Sequence, residues 1–388
     1  MKRGPSGYLL PISTLGETCR AFVPKPLPPD PPLVLDDRLQ ILAQQAATAL
    51  GRLDGISSLL PEPHLFLYSY IRKEAVLSSQ IEGTQSSLSD LLLFEVEGIS
   101  GAPLDDVREV SNYVAALERG VTLLKEGLPI SLRLIREIHG VLLREGRGAD
   151  KEPGQFRRSQ NWIGGTRPGN ATHVPPPPDT LLESLGALEK FLHNQPVATP
   201  VLIKAALAHV QFETIHPFLD GNGRLGRLLI TFLLHSEGVL RHPLLYLSLY
   251  FKQHRARYYQ LLQSVREEGD WEEWLVFFLE GVKEVAEGAV ETARRLLALF
   301  REHETRVGHF GRTAGSALRL LAHLQAHPVT SAPAAVTATG LSFHTVQKMF
   351  DALATHDLVK ETTGRKYGRI YSYSPYLAIL AEGTEPLR

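Results

Sequence analysis

The sequence predicts a mainly α protein with one β-hairpin flap in its middle and a winged helix-turn-helix at its C-terminal end. Three observations carry this reading. Apolar residues recur every three or four positions through most of the chain, the period of helices that bury one face. That rhythm breaks over residues 154–178, around Trp162-Ile163-Gly164-Gly165 and Pro168-Gly169, where turn chemistry suits a hairpin. Beyond Gly308, three short helical patterns precede two short strands.

In chain order, the first thirty or so residues end in a proline-rich run and read as an extended arm, since proline blocks helix interiors and central strands. Leu39, Leu42, Ala46 and Leu50 predict a helix from about residue 35 to 49. Pro61 and Pro63 punctuate. A second helix passes through Leu67, Ile71, Ala75 and Leu77 to about Glu82, with Gly83 as its cap. Residues 105–126 and 129–145 repeat the helical pattern, and 156–174 form the flap. Helices resume over 179–193, 200–215, 224–237, 251–268 and 271–302. Short helices over 317–326, 332–339 and 342–355, then strands at 358–360 and 370–373 about the Gly-Arg-Lys-Tyr-Gly turn, make the winged unit. The division expected is 1–105, an arm and helices; 106–303, a core; and 304–388, the winged helix.

Composition narrows the function classes. The 388 residues carry 41 Lys plus Arg against 42 Asp plus Glu, a net charge of -1, which disfavours a protein coated by polyanion. A hydrophobic content of 43% suffices for a sizeable core. The one cysteine, Cys19, excludes an internal disulfide. No stretch approaches the ~20 apolar residues that span a bilayer, and the N-terminus lacks a signal-peptide apolar run. A cytoplasmic protein with no membrane partner is expected.

The stretch from Thr214 to Arg227, Thr-Ile-His-Pro-Phe-Leu-Asp-Gly-Asn-Gly-Arg-Leu-Gly-Arg, carries the chemistry. Pro217 drives His216 out of the right-handed helical region, so the preceding helix stops there. Gly221 and Gly223 permit a tight turn, and the helix that follows offers free N–H groups and a dipole to an anion. Arg224 and Arg227, three apart, share a face. Two cations at a helix start oppose its dipole, which is tolerable when a polyphosphate sits there. His216 suits general-base work near neutral pH. Asp220 suits Mg²⁺, which takes few carboxylates beside phosphate oxygens. The string Gly221 to Gly226 formally fits G-x-G-x-x-G, but a helix precedes it where a dinucleotide site needs a strand.

The same stretch resembles the Fic family, whose motif is H-x-F-x-[DE]-G-N-G-R-x-x-R. His216, Phe218, Asp220, Gly221, Asn222, Gly223, Arg224 and Arg227 meet every fixed position. The resemblance implies a Fic-type helical bundle and Mg²⁺-dependent transfer of AMP from ATP to a Tyr, Thr or Ser hydroxyl of a protein, itself included. It implies that His216 deprotonates the hydroxyl, Phe218 packs the loop and Asp220 holds Mg²⁺. Gly221, Asn222 and Gly223 would bind phosphate oxygens, with Arg224 and Arg227 on the β- and γ-phosphates. Doc-type kinases carry lysine at the position of Gly223, so this glycine favours AMP transfer over phosphate transfer.

Ser78-Ser79-Gln80-Ile81-Glu82-Gly83 resembles the family's inhibitory motif, [ST]-x-x-x-E-[GN]. The resemblance implies that Ser78 and Glu82 form a brake, Glu82 pairing with Arg227 at the γ-phosphate position. It assigns Trp162, Ile163 and Gly164 to the flap that docks a target by strand addition. His254 stands where the family usually has Asn, as a nucleotide contact; Tyr258 and Tyr259 are either core or base-stacking residues. On the winged unit, Ser342, His344, Thr345, Gln347 and Lys348, with Arg365, Lys366 and Arg369, suit DNA; such modules also bind proteins or dimerise. A homodimer that regulates the brake is compatible with the sequence. Alternative functions are a DNA-binding regulator whose core senses nucleotide, removal of AMP from a modified protein, or transfer of another nucleotide group.

Overall fold

A computed structural model describes residues 2–57, 63–98 and 102–386; Pro61, read as a break between helices, lies outside them. Strands β1 (Gly7–Thr14) and β2 (Glu17–Pro24) open the chain. Helices α1 (Asp37–Ser57), α2 (Pro63–Ile81), α3 (Leu88–Glu97), α4 (Leu104–Lys125) and α5 (Leu132–Leu142) follow. After the flap region come α6 (Pro178–Leu192), α7 (Val201–Ile215), α8 (Asn222–Ser236), α9 (Ser248–Gln253), α10 (Arg255–Glu268) and α11 (Trp271–Gly308). The chain ends with α12 (Ala314–Ala326), β3 (Val329–Ser331), α13 (Ala332–Thr339), α14 (Phe343–Thr355), β4 (Lys360–Glu361), β5 (Ile370–Ser372) and α15 (Ser374–Ala381). The protein is mainly helical, as its periodicity predicts.

The described chain divides into two compact units, Met1–Gly51 with Ser111–Ala286, and Arg52–Val110 with Glu287–Arg388. In the first, α7 is the central helix. Its residues from Leu202 to Ile215 are buried on every side, which explains a sequence that is apolar all round rather than striped. Trp274 Nε1 donates to the Ala206 carbonyl at 2.9 Å. His209 Nδ1–H donates to the Gly226 carbonyl at 3.0 Å, and the Tyr258 hydroxyl donates to its Nε2 at 2.8 Å. These bonds join α7, α8, α10 and α11 and satisfy the buried His209, Tyr258 and Trp274 polar groups.

The N-terminal arm departs from the expectation. It is an antiparallel hairpin in register from Gly7↔Pro24 to Thr14↔Glu17, turned by Leu15 and Gly16 at φ 51 and 79. Two successive left-handed residues match the strand twist, and Pro11 is tolerated in a two-stranded ribbon because it needs no donor on an outer edge. Ala21, Phe22 and Val23 of β2 are buried.

The flap is also simpler than a two-stranded hairpin. One antiparallel bridge, Ile163↔His173, closes it, and Pro168–Asn170 form a short 3₁₀ turn. Phe22 N–H donates to the Val174 carbonyl at 2.8 Å, and Trp162 packs on Cys19, Ala21 and Val174. The flap is therefore backed by the N-terminal hairpin. The helix expected over 251–268 is two helices, separated at His254.

In the second unit, α12, α13 and α14 accompany a three-stranded antiparallel sheet of order β3-β5-β4. Ser331 and Ser342 cap α13 and α14, and Gly340 at φ 67 turns the chain between them. Three elements here escaped the periodicity: β3 and α15, which are short, and α3, ten residues long. The Ser87/Asp90 capping box marks the start of α3 in the sequence. Among the described residues no helix is long and apolar enough to cross a membrane.

Candidate active site

The loop between α7 and α8 holds the motif. α7 ends as His216 turns left-handed, at φ 48 and ψ 62, its N–H still bonded to the Phe212 carbonyl at 2.9 Å. Pro217 forbids right-handed continuation, as expected, and the chain takes the αL well. Phe218 then plunges inward with no exposed surface. It stacks on His139 of α5, ring centroids 3.7 Å apart and planes within 8°. The Asn222 carboxamide closes the loop, donating to the Phe218 carbonyl at 2.8 Å and accepting from the Phe218 N–H at 2.9 Å. Both ends of the amide are thus engaged by the loop itself, where the resemblance assigned Asn222 to phosphate.

Gly221, at φ 76, lets α8 begin at Asn222. The first N–H groups of a helix have no intrahelical acceptor and point at whatever lies beyond its end. Asp220 Oδ1 accepts the Gly221 N–H at 2.6 Å and lies 3.5 Å from Arg224 Nη2. Arg224 and Arg227 are 1% and 3% exposed, so two guanidinium groups are buried within the first two turns of α8. His216 Nδ1 lies 4.0 Å from Glu213 Oε2, one turn back on α7. An imidazole, a carboxylate, a helix start and two buried cations are gathered between His216 and Arg227. Such an arrangement can take a proton and stabilise a polyphosphate.

Four supporting residues lie outside the motif and were not singled out by sequence. The Gly154 N–H donates to His139 Nδ1 at 2.8 Å, which fixes the other tautomer, and Nε2–H donates to the Asp220 carbonyl at 3.0 Å. Burial, with the Arg224 charge adding to it, pushes the His139 pKa down to about 4 against the opposing bond to Asp220, so the ring stays neutral and keeps both bonds. Asn161 Nδ2 donates to the Phe218 carbonyl at 3.0 Å. His173 Nε2–H donates to the Thr214 carbonyl at 2.9 Å, and burial holds its pKa well below the usual imidazole value. Arg157 bonds several carbonyls of the loop. Only their partners on distant segments mark these residues out.

Other candidates fall elsewhere. Trp162 and Ile163 are half-buried at the flap base, next to Asn161, and Gly164 is exposed at φ 67. His254 is exposed at the α9–α10 break, its ring 4.4 Å from that of Tyr250. Tyr258 is core, whereas Tyr259 is 40% exposed beneath the Arg255 guanidinium. Ser78 and Glu82 belong to the other unit. Ser78 is buried near the end of α2. Glu82 lies one residue past the helix, not as its last residue, because its N–H bonds the Ser79 carbonyl at 3.0 Å and the turn tightens there. Ser342 caps α14, bonding the Thr345 N–H and hydroxyl; Gln347 bonds the Tyr371 hydroxyl; His344, Lys348, Arg365, Lys366 and Arg369 are exposed. Among the described residues no group of three or more His, Cys, Asp or Glu could hold a metal.

Residues 41–122 match the model of the Fic/DOC family N-terminal domain, and residues 129–234 that of the Fic/DOC family. The chain therefore carries a Fic/DOC-family region, preceded by that family's N-terminal region. Its Fic match contains the whole α7–α8 loop with His139, Arg157 and Asn161, and its N-terminal match contains Ser78 to Gly83. Among curated relatives, the protein adenylyltransferase Fic of Aedes aegypti is 37% identical over 194 residues, 49% of this chain and 36% of that protein. That of Drosophila virilis is 31% identical over 242 residues, 60% of this chain and 45% of that one. The chain thus spans less than half the length of these relatives. Among solved structures, a Fic family protein from Desulfovibrio desulfuricans G20 superposes with a TM-score of 0.57 at 20% identity, covering 88% of this chain and 97% of that one. Fic-1 from C. elegans gives 0.52 at 22%, covering 68% and 73%. At such identities the likeness shows the Fic fold.

Proposed function

We propose that this protein transfers AMP from ATP to a Tyr, Thr or Ser hydroxyl of a protein. The observation that carries the reading is the α7–α8 loop, which sets His216 beside the α8 N-terminus and its two buried arginines. The curated relatives that the chain matches bear the name protein adenylyltransferase Fic. His216 takes the hydroxyl proton as the oxygen attacks the α-phosphorus. The bond from that phosphorus to the bridging oxygen breaks, and pyrophosphate leaves. The Gly223 amide at the helix start and the Arg224 and Arg227 guanidiniums bind the β- and γ-phosphates, so that charge moving onto the leaving group meets fixed dipoles and cations.

The donor set fits Mg²⁺: a single carboxylate, Asp220, oriented by the Gly221 N–H, is what an ion mostly ligated by phosphate and water requires. When bound, Mg²⁺ supplies neutralisation of the phosphate charge. Gly223 supports AMP transfer over phosphate transfer, since it leaves the helix start without a lysine. Glu82, in its place within Ser78 to Gly83, acts as a brake on this reaction. The exposed Lys348, Arg365, Lys366 and Arg369 support a DNA contact by the C-terminal unit.

The test uses full-length wild type, Glu82→Gly, and Glu82→Gly/His216→Ala with Mg²⁺ and α-labelled ATP, followed by intact mass. One or more added AMP groups in the single variant, and none in the double, is the expected result. No label in any of the three would refute AMP transfer from ATP, and equal labelling of wild type and Glu82→Gly would refute the brake.

A further inference from the structure

Three consecutive carbonyls around His216 converge on one residue. The Arg157 Nε donates to the His216 carbonyl at 2.9 Å, and Nη2 reaches the Ile215 carbonyl at 3.4 Å. Its backbone N–H donates to the Pro217 carbonyl at 2.9 Å. Nη2 also donates to the Pro176 carbonyl at 2.5 Å, and Nη1 to the Ser159 carbonyl at 3.3 Å. Arg157 is 2% exposed, and its hydrogen-bond acceptors are all main-chain carbonyls. Burial lowers its pKa only to about 10, so it is a cation at neutral pH, held by oxygen dipoles alone.

His216 has reason to need such a hold. A residue with a Cβ is strained at φ 48 and persists there only when its surroundings over-determine the turn. Glycine would relieve the strain but would remove the imidazole. The planar fork of an arginine can meet diverging carbonyls at once, which a lysine ammonium, a single point charge on a flexible stem, does not reproduce. Asn161 adds one weaker bond to the His216 carbonyl, at 3.4 Å.

We propose that Arg157 is a positioning residue for this site: it locks His216 in the left-handed turn by binding the carbonyls of Ile215, His216 and Pro217. The proposal rests on the adenylyl-transfer reading for its kinetic consequence, though not for its structural one. Arg157 touches the loop backbone and no reacting atom, so its loss misplaces the base while the α8 phosphate cradle stays in place.

Arg157→Lys and Arg157→Met are compared with their parent, the full-length Glu82→Gly protein; should the Met variant fail to fold, the Lys variant carries the test. Two quantities are read: amide hydrogen exchange over residues 215–221, and kcat and KM for ATP with α-labelled nucleotide. Expected are faster exchange confined to that segment and a kcat lower by about 100-fold, the scale of a base misplaced by an ångström. KM for ATP should stay within about threefold, since ground-state binding is untouched. Unchanged exchange over 215–221 overturns the proposal whatever the activity, and so does faster exchange throughout the chain with kcat kept and kcat/KM falling through a rise in KM. If the parent transfers no AMP yet the segment loosens, the positioning role stands and the transfer reading falls.

Discussion

Phe218 illustrates how much of the site depends on single buried groups. Its ring has no exposed surface, its N–H has the Asn222 carboxamide as acceptor, and its carbonyl takes bonds from both Asn222 and Asn161. Replacing Asn222 by alanine removes the N–H's partner in a place water does not reach, a loss of about 1–3 kcal/mol. Urea unfolding of Asn222→Ala should show a destabilisation of that size, and AMP transfer in the Glu82→Gly background should fall with it as the loop slackens. A variant as stable as its parent would show that the carboxamide is dispensable to the loop. Asn222 thus reads as a fastener of the motif, a role its place in the pattern does not reveal.

Among elements, α7 and α8 decide the site, because the loop between them can be fixed only if the two helices pack closely. Gly226 allows that approach. A Cβ there would lie 2.5 Å from Glu213 Oε1, 3.2 Å from the Phe212 ring and 3.4 Å from His209 Nδ1. Glu213 is itself buried, and the Phe212 ring crowds the same spot. Gly226→Ala, nominally favourable to a helix, is therefore expected to destabilise by about 1–3 kcal/mol through overpacking, read as a lower midpoint in chemical denaturation. A neutral or stabilising result would mean that the helices separate more easily than their contacts imply. The hairpin β1–β2 works likewise as a backing: its Phe22 N–H fixes Val174 at the end of the flap, so the flap's shape belongs to two segments far apart in sequence.

Across the whole molecule, buried neutral histidines tie stability to pH. Burial pushes His139 down to about 4 and His209 down to about 3, and His173, His303, His323 and His327 also shift downward, burial being the first cause in each. The unfolded chain takes up these protons near pH 6.5, the folded chain only well below it. Stability from these groups is therefore full above about pH 6.5 and is lost as pH falls from there toward their folded values. At pH 5 the loss is about 2 kcal/mol for each fully buried ring, or about 4 kcal/mol for His139 and His209 together. Unfolding free energies measured at pH 7 and pH 5 should differ by at least this order; a flat profile between them would show that the rings are not held neutral.

The sequence by itself determined the helical body and the place of the site. Long helices announce themselves through period, and the run from His216 to Arg227 is legible because proline, glycine and charge act locally, on the next few residues. It also indicated that the helix stops at His216, before Pro217, and the family resemblance implied that Phe218 packs the loop. Only the tertiary structure decided what backs that loop. His139, Arg157, Asn161 and His173 bond to carbonyls 41 to 81 residues away, and no local pattern distinguishes such a residue from an ordinary loop polar group. The N-terminal hairpin was hidden for the same reason: prolines near its ends suggest an arm, and what makes it a ribbon is burial of β2 against the distant Val174 edge. Local conformational preference is written in neighbouring residues, whereas the choice of a hydrogen-bond partner across the fold is made by packing.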